Sequence, residues 1–314
     1  MYTRAAVIAP LLALASTACF DIMQGPVDDP PTPSNAPDTN PPAVVLSRPD
    51  SNGNWDIYGD DLTNVVVRNQ TPSDSASGSD RLTVHPARDD HPTLSPDGLR
   101  VAFQSERDGN WEIYVTGTGG ALRPTRITDH PSRDIRPAWS PDGSTIAFAS
   151  DRSGRGTEIY LIEPDGVGSA ARLTDRRTTS TDPDWSPDGS RIAFSSVDES
   201  GFSQVYVMNA DGSAQSRLTN DAVASKSPAW SPDGSEFAFV RGSAIWTMNA
   251  DGSDQRVSAS EARDFLSAPD WNSSGAVTIG LQLTCCERRE GIYVYNRIGG
   301  SLAFLTAGRN PAWW

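Results

Sequence analysis

Ser95-Pro-Asp-Gly-Leu-Arg-Val-Ala-Phe-Gln-Ser-Glu-Arg-Asp-Gly-Asn-Trp-Glu-Ile-Tyr114 reads as a tight turn, an apolar strand, a second turn and a strand ending in an apolar–aromatic pair. Its opening tetrapeptide, Ser-Pro-Asp-Gly, returns at Ser140, Ser186 and Ser231, at intervals of 45 or 46 residues, with a degenerate Asn-Ser-Ser-Gly at Asn272. A period of roughly 40–50 residues built around a repeated turn is one supersecondary unit copied many times, most often a propeller blade. In each turn Pro fixes φ, Asp bonds local amides and Gly takes a positive φ. These carboxylates therefore read as turn chemistry, as do those of Asn209-Ala-Asp-Gly212 and Asn249-Ala-Asp-Gly252.

Aligned on the turn, each copy shows four short apolar signals, each the length of a strand. The first has Pro two residues before a large apolar residue: Pro92/Leu94, Pro137/Trp139, Pro183/Trp185, Pro228/Trp230, Pro269/Trp271 and Pro311/Trp313. The second follows the turn as Val101-Ala-Phe103, Ile146-Ala-Phe148, Ile192-Ala-Phe194, Phe237-Ala-Phe239 and Val277-Thr-Ile279, with Val44-Val-Leu46 as its N-terminal counterpart. The third ends in pairs such as Ile113-Tyr114, and the fourth is Leu82-Thr83, Ile127-Thr128, Leu173-Thr174, Leu218-Thr219, Val257-Ser258 and Leu305-Thr306. Pro cannot donate to a ladder, so its recurrence in the first strand fits an edge strand lining a channel.

The expected fold is all-β: a six-bladed β-propeller over 43–314 with four antiparallel strands per blade. The N-terminal unit lacks a first strand, and Asn310-Pro-Ala-Trp-Trp314 is a first strand with no blade after it. The C-terminal strand is therefore expected to join the N-terminal blade and close the ring, removing free edges.

Before the repeats, Arg4 precedes an apolar stretch from Ala5 to Ala15. That stretch is shorter than the roughly 20 residues that span a bilayer, so 1–18 read as a signal peptide. Ser16-Thr17-Ala18-Cys19 resembles a bacterial lipobox, although Ser16 stands where Leu is usual. Lipidation is expected at Cys19, with the alternative of an ordinary cleavage near Ala18. Residues 19–42 are Pro-rich and acidic with no apolar period, and read as an extended tether. Membrane attachment would come through the lipid alone. The expected compartment is the periplasm, and Phe20 in place of Asp favours the outer membrane over the inner.

The blades resemble the TolB-type propeller repeat, P-x-W-S-P-D-G followed by an apolar strand and R-D-G-N-x-E-I-Y. Arg107-Asp-Gly-Asn110 and Glu112-Ile-Tyr114 carry the match best. The resemblance covers about 270 residues and implies the fold; fold alone does not carry function over. Only some 23 residues separate Cys19 from the first strand, so the α/β domain that precedes the propeller in TolB is expected to be absent.

Net charge is −14, with a single Lys, Lys226, among 26 basic residues, which disfavours a nucleic-acid partner. There are only three His and three Cys, and we find no nucleophile elbow, H-E-x-x-H or phosphate loop. No catalytic residue, cofactor or metal is assigned. In propellers the loops from fourth to first strand and from second to third share one face around the channel mouth, and here these loops differ most between copies. His-Pro-x-Arg-Asp occurs twice, at His85 to Asp89 and His130 to Asp134. The candidate ligand-binding face comprises His85, Asp89, Asp90, His91, His130, Asp134, Arg136, Asp182, Lys226 and Arg309. It reads either as a mixed-charge pocket for a peptide segment or as charges that hydrate the channel and cap strand ends. A manganese or zinc site at His85, His91 and His130 with Asp89 or Asp134, as in lyases related to this repeat, is the competing chemistry. Asp50-Ser-Asn-Gly-Asn-Trp-Asp56 resembles a calcium loop but lacks Gly at the required position, and aligns with the hairpin turns. Cys285-Cys286 is a candidate vicinal disulfide in an exported protein. The function expected is that of a monomeric scaffold binding an envelope protein or peptide; the alternative is a metal-dependent carbohydrate-active lyase or glycan-binding propeller.

Overall fold

The computed structural model describes residues 44–60, 79–119, 123–175, 178–260, 269–271, 278–282, 292–296, 301–306 and 309–313. Within them the chain is all-β, with no α-helix and no helix long and apolar enough to cross a membrane. Cys19, Cys285 and Cys286 lie outside the described residues, as do the proposed signal peptide and tether.

Among the described residues the strands form six antiparallel sheets, five of four strands and one of three. Sheet 1 joins the two ends of the chain: Arg309–Trp313 pairs with Val44–Pro49, which pairs with Trp55–Asp60 and then Ser79–Arg81. Sheet 2 runs Asp89–Leu94, Arg100–Ser105, Glu112–Gly117, Thr125–Arg126. Sheet 3 runs Asp134–Trp139, Ile146–Ser150, Glu158–Ile162, Ala171–Arg172. Sheet 4 runs Ser180–Trp185, Arg191–Val197, Ser203–Asn209, Ser216–Arg217, and sheet 5 Ser225–Trp230, Glu236–Arg241, Ala244–Asn249, Arg256–Ser260. Sheet 6 has Thr278–Gln282, Ile292–Asn296 and Ser301–Thr306; of its expected first strand 269–271 are described, with a bridge at Trp271.

The core lies between neighbouring sheets. The fully buried Ala147 and Ala149 of sheet 3 pack against Ile192, Phe194 and Met208 of sheet 4. In the same way Ala193 of sheet 4 meets Phe237 and Phe239 of sheet 5, and Ala102 of sheet 2 meets Ile146 and Phe148 of sheet 3. This explains the large–small–large strands: the small residue on one face makes room for the large residues of the next sheet, and each buried Phe contributes roughly 1.5–3 kcal/mol. Cross-strand pairs add to it, with Phe103–Tyr114, Phe148–Tyr160 and Phe194–Tyr206 stacked at 5.6–5.9 Å.

The Ser-Pro-Asp-Gly turns serve this packing. In the third copy Ser186 Oγ donates to Asp188, whose Oδ1 also accepts the Ser190 amide. Hydrogen bonds from the Ser186 hydroxyl and from Ser190 hold the Asp188 carboxyl down at about 2. Gly189 sits at φ 71°, and a Cβ there would lie 3.2 Å from Cγ of Pro141, the proline of the preceding turn. The turns therefore stack from sheet to sheet, and glycine is required both for its φ and for the close approach.

The fourth strands depart from expectation. They are two or three residues long in sheets 1 to 4 and end just before the Leu-Thr or Ile-Thr pairs. The apolar residue donates its amide to the third strand (Ile127 N to Ile113 O, 2.9 Å), but the threonine then bonds through its side chain. Thr128 Oγ1 accepts the Ile113 amide at 2.8 Å and donates to Glu112 Oε2 at 2.6 Å. Thr83 with Asp56, Thr174 with Glu158 and Thr219 with Gln204 repeat the arrangement. A hydroxyl replaces a ladder bond, so the strand stops.

Candidate functional site

The first strands of sheets 2 to 5 share one irregularity. His91, Arg136, Asp182 and Ser227, each immediately before the first-strand proline, have φ of 50°, 57°, 51° and 52°. Non-glycine residues seldom occupy this left-handed region, which costs roughly 1 kcal/mol or more apiece. At each, the pairing with the second strand slips by one residue, between Asp90 and Thr93, Ile135 and Ala138, Thr181 and Asp184, Lys226 and Ala229. A bulge of this kind re-aims a side chain. Here the four re-aimed positions meet in one cavity of about 130 Å³.

That cavity is also lined by Pro92, Pro137, Pro183, Pro228 and Pro269, as expected of strands lining a channel. Side chains of the neighbouring sheet support the re-aimed amides: Arg136 N donates to Gln104 Oε1 at 3.0 Å and Ser227 N to Ser195 Oγ at 2.8 Å. Ser195 Oγ donates in turn to Asp182 Oδ2 at 3.1 Å, and Arg136 Nη1 stands 3.2 Å from Asp182 Oδ1. Arg136, Asp182, Ser195 and Ser227 thus form one network across sheets 3, 4 and 5.

Of the residues proposed from sequence, the structure brings His91, Arg136 and Asp182 into the cavity. Asp90, buried beside them, accepts Arg88 Nη2 at 2.6 Å and the His91 amide at 3.0 Å. Asp89 and Asp134 are instead buried in ion pairs with Arg107 (2.9 Å) and Arg152 (2.6 Å). Those guanidiniums also stack over Tyr114 and Tyr160. Burial raises the carboxyl of Asp134 while bonds from Ser150 and Arg152 oppose it. His85 Nδ1 accepts the Ala87 amide and His130 Nδ1 the Ser132 amide, both at 3.1 Å, so each ring caps its own loop. Among the described residues no group of three His, Cys, Asp or Glu is placed to hold a metal. Lys226 is exposed next to Ser227, and Arg309 lies in the last strand, opposite Ser47. The calcium-like loop is a turn: Asp50 Oδ1 accepts the amides of Asn52 and Asn54.

Six lining residues escaped the sequence reading: Thr93, Ala138, Ala229, Ser227, Asp184 and Asp270. Reading the column after the first-strand proline would have singled out the last two, since it holds Thr93, Ala138, Asp184, Ala229, Asp270 and Ala312. Asp184 Oδ2 accepts the amide of Trp230 in the next sheet at 2.7 Å. Desolvation, with the negative charge of Asp270 adding to it, pushes the Asp184 carboxyl up to about 7.

No curated protein matches the chain in sequence. Among solved structures, TolB from Acinetobacter baumannii is 18% identical with a TM-score of 0.69, over 86% of this chain and 66% of that one. The chain thus spans just under two thirds of that protein's length. A putative TolB from Agrobacterium tumefaciens is 22% identical with a TM-score of 0.64, over 74% of this chain and 86% of its own. An oligogalacturonate lyase in complex with manganese is 16% identical with a TM-score of 0.56, over 82% and 72%. At these identities the likeness is one of fold. The sequence itself matches the TolB beta propeller domain over residues 73–174 and 156–282, more than half of its 314 residues. With four-stranded sheets at the same period, the chain belongs to the TolB beta-propeller domain family.

Proposed function

We propose that this chain is an exported, lipid-anchored propeller of six blades, closed by its last strand, that binds a segment of an envelope protein at its channel mouth. Residues 1–18 would be removed, Cys19 acylated, and 19–42 would tether the ring to the periplasmic face of the outer membrane as a monomer. The pairing of Arg309–Trp313 with Val44–Pro49 supports closure. The observation that carries the binding role is the cavity itself. Turn, core and ion-pair positions repeat from sheet to sheet, whereas the re-aimed residues are His91, Arg136, Asp182 and Ser227, each different. A scaffold needs sameness; recognition needs difference. A vicinal disulfide at Cys285-Cys286 would stiffen a loop on the same face.

A photocrosslinking residue at Thr93, inside the cavity, tests this in the native envelope. An envelope protein should crosslink from Thr93 and not from Val167, which is exposed in a turn between third and fourth strands. Crosslinks from Val167 alone, or none from Thr93, would reject the channel mouth as the binding site. The lyase or glycan-binding reading has only the shared fold behind it; stoichiometric manganese or zinc in the purified protein would revive it.

A further inference from the structure

Two ion pairs in the sheets carry a part that the Arg136–Asp182 pair lacks. Arg107 pairs with Asp89 at 2.9 Å and lies 4.5 Å from the ring centre of Tyr114. Arg152 pairs with Asp134 at 2.6 Å and lies 4.9 Å from that of Tyr160. An acid holds each guanidinium and an aromatic ring meets its face, an arrangement in which both contacts are made at once. Arg136 has the acid, with Asp182 at 3.2 Å, but among the described residues it lies over no ring. Its side chain is also at least twice as exposed as the other two, 34% against 13% and 17%. The face that a ring covers elsewhere is within reach of a ligand here.

The cavity that Arg136 lines has the size and the surface for such a ring. Its volume is about 130 Å³, and a cavity of about 150 Å³ is known to hold benzene. Its apolar lining is five prolines with Ala138 and Ala229, and none of its described lining residues is aromatic. Proline rings and aromatic rings pack on one another, as where aromatic-lined grooves take up proline-rich segments; here the roles are exchanged. We propose that the cavity receives the six-membered ring of one phenylalanine or tyrosine of the segment bound at the channel mouth, with Arg136 over its face. This assignment rests on the peptide-binding reading above. The negative face of an aromatic ring suits the guanidinium, and its positive edge suits the carboxylates of Asp182 and Asp184 on the same lining. A tyrosine hydroxyl would add a donor for Ser227 Oγ, which itself donates to Asp182 Oδ2 at 3.4 Å. One aromatic anchor in a pocket is also the usual centre of a protein–protein contact.

Titration of the full chain with three short peptides, followed by NMR, tests the assignment. Acetyl-Ala-Phe-Ala-amide and acetyl-Ala-Tyr-Ala-amide carry the ring, and acetyl-Ala-Leu-Ala-amide carries an aliphatic side chain instead. At least one ring peptide should bind about tenfold more tightly than the leucine peptide, and the tighter of the two identifies the residue. Ring currents should move the methyl resonances of Ala138 and Ala229 upfield with the ring peptides and not with the leucine peptide. Arg136→Met should bring the ring peptides down to the affinity of the leucine peptide. If that variant fails to fold, the methyl shifts of the unaltered chain carry the test alone. Equal binding of all three peptides would overturn the ring assignment and leave the peptide reading standing. Tight binding of a ring peptide without the methyl shifts would place the ring outside the cavity and overturn it as well. Binding of none would also overturn it, and the crosslink from Thr93 would then decide the broader reading.

Discussion

The amide of Trp230 donates to the carboxylate of Asp184 at 2.7 Å, tying sheet 5 to sheet 4 through a group that is costly to ionise. The folded protein keeps the Asp184 proton up to about 7, whereas the unfolded chain releases it near 3.8. Between those values the native state binds more protons. Stability from this group therefore falls as pH rises through the window, and is level above it.

Asp184→Asn removes that slope and keeps an acceptor for Trp230. Near pH 4 the variant and wild type should unfold alike, since both side chains are neutral. Near pH 8 the variant should be more stable by roughly 1–3 kcal/mol, a figure reduced for the partial solvation of the cavity. Urea unfolding at the two pH values measures this. Parallel stability–pH curves would show that Asp184 is already ionised at little cost.

The stacked turns give a paired comparison. Gly189 and Gly201 both have positive φ, 71° and 81°, but a Cβ at Gly189 meets Pro141 at 3.2 Å while one at Gly201 meets nothing within 4 Å. Gly201→Ala should cost about 1 kcal/mol for φ alone, and Gly189→Ala distinctly more. Equal losses by thermal unfolding would mean that the turns do not pack on one another.

Much of this was legible in the sequence because repetition encodes geometry. Ser-Pro-Asp-Gly placed the turns, Ile-Ala-Phe the interlocking faces, and Pro the strands that line the cavity. Asp89 and Asp134 looked like site residues because they sit in a variable, charged loop. Only the structure shows Arg107 and Arg152 folding back, eighteen residues on, to pair with them. Asp184 was hidden for the opposite reason: a lone acid inside Pro-Asp-Trp resembles its neighbours until its column is compared across copies. The left-handed bulges left no local mark, since His, Arg, Asp and Ser share no property beyond preceding a proline.

The Arg107–Asp89 pair should behave as scaffold. Asp89 is fully buried and accepts both bonds from Arg107 Nη2, at 2.9 and 3.0 Å. Arg107→Met leaves that carboxylate without its cation and should cost about 3 kcal/mol; adding Asp89→Asn should restore part of the loss. Ligand affinity at the cavity should be unchanged in the double variant. A tenfold loss of peptide binding without loss of stability would instead place Asp89 in the site.

The ends of the chain make the strongest demand on the fold. Val44 pairs with Trp313, Val45 with Ala312 and Ser47 with Arg309, so sheet 1 draws one strand from the far end of the sequence. Removing 309–314 would strip the Val44–Pro49 strand of one neighbour and expose an unpaired edge beside the buried Val45 and Leu46. Because the four larger core clusters among the described residues each span two adjacent sheets, loss at one junction weakens the next. The truncated protein should melt well below the full chain and associate in size-exclusion chromatography. Adding the excised Arg309–Trp314 segment back as a peptide should recover part of the melting temperature. A truncated chain that stays monomeric with an unchanged melt would mean that the terminal strand is dispensable, and that sheet 1 is held by its interface with sheet 2 alone.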